Sequence, residues 1–72
     1  MELHRALTAV ADVMRAGTIT HPNNDWVRLP VEHHVARAEE HLRRLRDGDQ
    51  REDHLAHAAT RLPMAQALRE VS

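Results

Sequence analysis

Hydrophobic positions recur at helical intervals in three stretches of the chain. Leu3, Leu7, Val10 and Met14 are spaced by four, three and four, and Ala6 and Val13 widen the stripe. Arg5, Thr8, Asp12 and Arg15 fall on the other side, so the pattern predicts an amphipathic helix over 2–16. Gly17 supplies its natural stop. Val31, Val35, Ala38, Leu42 and Leu45 repeat at four, three, four and three, the spacing of a packing seam. This predicts a second helix over 30–47, with Pro30 at its first position, Glu32 at its positive end and Gly48 as the turn residue. Leu55, Ala58, Ala59 and Leu62 make a third seam, predicting a helix over 50–70 that Pro63 kinks or breaks. No stretch alternates with the period of a strand. The expectation is an all-α fold, a single small helical domain over 1–72. The turn at Gly48 is short, so helices two and three form an antiparallel hairpin. If Leu55 and Leu62 fill the core, Leu55→Ala or Leu62→Ala costs about 2–5 kcal/mol.

The segment "GTITHPNNDWVRL", residues 17–29, carries loop chemistry and is long for a connection in so small a domain. Its Trp26 is the only aromatic residue of the Phe, Tyr and Trp class. Two readings stand for it: a cap on the core, or a stacking face for a planar ligand.

Composition changes the picture in one respect. A chain of 72 residues without Phe, Tyr or Cys, whose apolar groups are mostly Ala, Leu and Val, builds a thin core that no disulfide or thiolate metal site can staple. A second subunit is the remaining source of buried area, so a homo-oligomer is expected, most simply a dimer with a four-helix core from helices two and three. The formal net charge is −1, and all ten basic residues are Arg. Arg in place of Lys suits phosphate recognition, and it equally suits codon bias in a GC-rich genome. Acids are interleaved with the arginines, which argues against direct nucleic-acid binding. No apolar run is long enough for a membrane span and the start lacks a secretory pattern, so the expected compartment is the cytoplasm.

The candidate chemistry lies in the histidines. His41 precedes Gly48 by seven residues, and His54 and His57 follow it by six and nine, so a hairpin sets all three at one level. Asp53 lies one helical turn before His57. His41, Asp53, His54 and His57 are therefore candidate ligands for a divalent metal, Mg, Mn or Zn, built on facing helices. The alternative is a set of half-buried histidines hydrogen-bonded to acidic neighbours. Arg37 and Arg61 are candidate phosphate contacts, with Trp26 against a base. The chain has no Cys, no glycine-rich phosphate loop and Ser only at its end, so covalent catalysis is excluded and an enzyme here works through metal and water.

With these residues in view, the chain resembles the dATP/dGTP diphosphohydrolase, N-terminal family, a small helical family of phages and bacteria related to MazG-like all-α nucleotide pyrophosphohydrolases. The resemblance is carried by "ALTAVADVMRAG", "NNDW", "EHLRRLRDGD" and "HLAHAATRL". It sets His41, Asp49, His54 and His57 on family motif positions and matches Trp26 to an Asn-Trp pair. It implies a nucleotide-handling protein that releases pyrophosphate from purine deoxynucleoside triphosphates. The departures are a shorter turn before "HLAHAA", Arg61 where an Asn is common, and Pro63. The paired ExxE and ExxD motifs with which MazG-like enzymes bind magnesium are also missing. The other reading is a non-catalytic small helical oligomer of phage type that sequesters a nucleotide or binds a protein.

Overall fold

The computed structural model describes residues 2–21 and 23–71; Pro22 in the first loop lies outside them. Three α-helices make up the domain, α1 Glu2–Thr20, α2 Val31–Arg46 and α3 His54–Val71. No strand occurs among the described residues. A 3-10 turn, Asp25–Arg28, interrupts the connection between α1 and α2. α2 and α3 pack closely as the expected antiparallel hairpin, and α1 packs on α3. No described helix is long and apolar enough to cross a membrane.

The boundaries differ from expectation at two points. α1 does not stop at Gly17 but runs on to Thr20. The Thr18 and Thr20 hydroxyls donate back to the Met14 and Ala16 carbonyls, and the His21 N–H closes the last turn on the Gly17 carbonyl. α3 starts at His54 and not near residue 50, because Asp53 caps it: the Ala56 N–H donates to Asp53 Oδ1 at 3.0 Å. α3 then passes through Pro63 without a restart. The turn after α2 matches expectation. Gly48 adopts φ 85°, the Asp49 N–H reaches the Arg44 carbonyl, and the Gly48 N–H reaches that of Leu45. This is a Schellman ending, for which a residue without Cβ is best suited.

The core is the larger correction. The seam leucines expected inside lie outside, Leu55 57% and Leu62 53% exposed, with Leu3 and Leu7 of α1 more so. The buried apolar residues are Ala38, Ala56, Ala58 and Ala65, and the largest fully buried side chains are His34 and His54. The physical reason is helix separation. Alanines at 38 and 58 let the hairpin helices approach closely, and the residues beside them toward α1 are histidines, whose polar atoms satisfy one another. Every buried side-chain nitrogen and oxygen among the described residues has a hydrogen-bond partner. Truncating Leu55 or Leu62 in a single chain therefore costs much less than the core figure above.

Candidate metal and nucleotide site

A chain of hydrogen bonds crosses the hairpin near its turn. The His54 Nε2–H donates to Asp49 Oδ2 at 2.9 Å, and His54 Nδ1 lies 2.9 Å from His41 Nδ1. In the neutral rings the order runs one way. His54 gives its proton to Asp49, accepts from the His41 Nδ1–H, and leaves the His41 lone pair on Nε2. Asp49 is in turn held by the side chain and backbone N–H of Arg51, and with the His54 bond these keep its carboxyl well below the ordinary carboxylate range. Burial, followed by the neighbouring His57, pushes the His41 imidazole below its usual value, against a smaller opposite pull from Glu52.

His57 stacks on His41 with ring centroids 4.9 Å apart. Glu52 Oε1 lies 3.4 Å from His41 Nδ1. One ligand atom from each of His41, Glu52 and His57 falls within 4.8 Å of the others, so these three side chains could hold a metal ion. Two imidazoles, one kept neutral by burial, and a carboxylate form a donor set that fits a divalent transition metal. The hairpin thus brings His41, His54 and His57 together as their spacing predicts. His54 is fully engaged between Asp49 and His41, and Asp53 is occupied as the cap of α3. The carboxylate beside the histidine pair is Glu52. It lies in the non-helical turn, where no periodicity locates a side chain, so sequence reasoning passed over it.

A second buried histidine, on α2, organises the phosphate side. His34 Nε2–H donates to the Trp26 carbonyl at 2.9 Å, and its Nδ1 accepts from Arg61 Nη1 at 3.0 Å. One imidazole thus joins the loop that carries Trp26 to α3. Arg61 is partly buried, and burial followed by the nearby Arg37 charge lowers its guanidinium pKa. Among the described residues neither Arg37 nor Arg61 has a carboxylate partner, whereas Asp12 and Asp25 are paired with Arg15 and Arg28. Trp26, Arg37, Arg61, His41, Glu52 and His57 all line one cavity of about 1020 Å³ between α1 and the hairpin. Two guanidiniums with no carboxylate within ion-pair distance offer donors to an anion in this cavity, which the Glu52 carboxylate also lines.

The lowered histidines have a consequence for the metal-free protein. The unfolded chain takes up a proton at His41 near the ordinary 6.5, where the folded chain still resists it. Stability is therefore complete above that pH and falls as pH drops below it, levelling off once the folded-state value is passed. His33 shifts the same way, through partial burial and then the Arg61 charge. The contribution from Asp49 is retained down to the ordinary 3.8 and is lost only below it. Urea midpoints measured from about pH 8 to about pH 5 are expected to decline; a flat or rising series would refute this account.

Fold and site together define a small all-α domain with a cavity lined by arginine, histidine and a single tryptophan. No curated protein and no solved structure matches the chain. The family is nonetheless clear: the dATP/dGTP diphosphohydrolase, N-terminal model matches residues 3–71, and the chain belongs to that family.

Proposed function

We propose that the cavity binds a purine deoxynucleoside triphosphate. The observation that carries this reading is the gathering of Trp26, the two unpaired arginines and the His41–Glu52–His57 group around one cavity. The family description, which names dATP and dGTP, supplies the substrate class. Trp26 offers the base a stacking face. Arg37 and Arg61 meet the phosphates, whose charge replaces the missing counter-charge. His41, Glu52 and His57 hold a divalent cation, with Mn or Zn suited better than Mg to two nitrogen donors. The reaction is hydrolysis to a monophosphate and pyrophosphate, to which a bound cation would supply Lewis acidity and a more acidic water.

A second reading, binding without turnover, draws support from a specific feature. A single carboxylate, Glu52, stands in the ligand group, where MazG-like enzymes bring paired acidic motifs. Titrating dATP and dGTP in the presence of Mn, while following Trp26 fluorescence and pyrophosphate release, separates the two. Saturable quenching is expected, and Arg61→Gln is expected to weaken it about 10- to 100-fold, the worth of a hydrogen bond to a charged group. Absence of any response at millimolar nucleotide would sink nucleotide handling. Binding without pyrophosphate release would select sequestration.

A further inference from the structure

Among the described residues, one holds a left-handed backbone without being glycine. Asn24, at φ 53° and ψ 45°, stands immediately before the 3-10 turn and two residues before Trp26. Its carbonyl accepts from the Val27 N–H at 3.1 Å, which closes the turn on that conformation. Glycine holds such a φ with less strain, and asparagine is among the few side chains that tolerate it. An asparagine ahead of a helical turn ordinarily bends its side chain back onto the free N–H groups of that turn. Asn24 makes no such bond.

The amide lines the same cavity as Trp26. Most other polar side chains there are already engaged. The Thr18, Thr20 and Thr60 hydroxyls donate to carbonyls of their own helices. Asp12 is paired with Arg15, and Asp25 lies 3.9 Å from Arg28. Arg37 and Arg61 serve the phosphates in the reading above, and His41, Glu52 and His57 the cation. Apart from these and Trp26 itself, the polar side chains left on the wall are His21 and Asn24, neither with a hydrogen-bond or ion-pair partner among the described residues. An imidazole points its two nitrogens apart. A carboxamide sets an acceptor and a donor side by side in one plane, which is the pattern of a base edge.

We propose that Asn24 reads the edge of the base that stacks on Trp26, an inference that rests on the nucleotide reading above. Adenine sets its N6–H donor beside the N7 acceptor, and guanine sets its O6 acceptor beside the N1–H donor. The amide meets adenine with its oxygen toward N6 and its nitrogen toward N7. Turned over about its last side-chain bond, it meets guanine with its nitrogen toward O6 and its oxygen toward N1. One side chain thus accepts both bases that the family description names. The edge contact of the Trp26 ring with the buried His34, at a centroid distance of 6.3 Å, steadies the stacking face from which Asn24 reads.

Calorimetric titration of the full chain with α,β-imido dATP and α,β-imido dGTP, which cannot release pyrophosphate, tests this with Mn present. Asn24→Gly removes the amide and suits the left-handed backbone, so its urea midpoint is expected to stay level or rise. Its affinity for both nucleotides is expected to fall about 10- to 100-fold, the worth of a paired donor and acceptor on a base. Asn24→Asp keeps the shape but only accepts. It still fits the adjacent N1–H and N2–H donors of guanine, whereas against adenine one oxygen faces the N7 lone pair. The ratio of dGTP to dATP affinity is therefore expected to rise about tenfold or more. A glycine variant that binds both nucleotides as the parent does overturns the inference alone. An aspartate variant that weakens both equally overturns it too, because the carboxylate then acts only through its charge on the phosphates. A parent chain that binds neither nucleotide overturns the nucleotide reading, and this inference with it.

Discussion

Replacing His34 with alanine is expected to destabilise the fold by about 2–5 kcal/mol, the range for emptying a fully buried site. His34 has no exposed surface, and both of its nitrogens are bonded, to the Trp26 carbonyl and to Arg61. Alanine leaves a ring-sized void, an orphaned carbonyl and a partly buried guanidinium with nothing to donate to. For a domain of this size the whole stability is on the order of 4–11 kcal/mol, so much of it is at stake. The loss extends to the site, since His34 holds the Trp26 loop and Arg61 in register. His34→Gln, with one amide donor and one carbonyl acceptor, is expected to recover part of both stability and nucleotide affinity. Urea unfolding with a loss below about 1 kcal/mol for His34→Ala would show that the imidazole is not the brace described.

His54→Ala is expected to cost a similar amount, about 2–5 kcal/mol, again by emptying a fully buried site and breaking two hydrogen bonds. It leaves Asp49 without its imidazole donor and His41 Nδ1 without an acceptor, in a part of the hairpin where both rings are buried. His41 then loses the bond that fixes its tautomer, and the nitrogen that it presents to the cavity is no longer selected. Calorimetric affinity for Mn or Zn is expected to fall about 10- to 100-fold in any variant that stays folded, the usual effect of removing the group that orients a metal ligand. Asp49→Asn, which keeps a hydrogen bond but not the charge, is expected to give a milder version of both effects. Unchanged unfolding midpoints for His54→Ala would refute the relay from Asp49 to His41, whatever the outcome with metal.

Much of this architecture was legible in the order of residues. The three helical periods, the Gly48 turn and the antiparallel pairing that follows from it are local matters, decided by backbone conformation and spacing over a few residues. The convergence of His41 with His54 and His57 follows from the same short turn, because in a hairpin distance from the turn fixes height. The helix ends were less legible. α1 runs past Gly17 to Thr20, with the His21 N–H bonded to the Gly17 carbonyl, and Asp53 delays α3 by capping it.

The direction in which each helix faces could not be read from one chain. Periodicity marks an apolar stripe and a histidine stripe side by side on α2 and α3, but it does not say which turns inward. The leucine stripe looked like the core by hydrophobicity alone. The tertiary structure chose the other, because small side chains at Ala38 and Ala58 let the helices come close, and the adjoining histidines satisfy one another's polar atoms. Glu52 became part of the candidate site for the same reason, through a turn whose path only the packed hairpin defines. Amino-acid order thus determined the helices, their pairing and the level of the histidines, since these depend on short-range geometry. Which stripe is buried, and which carboxylate joins the histidines, depends on how closely whole helices approach, and only the tertiary structure decided it.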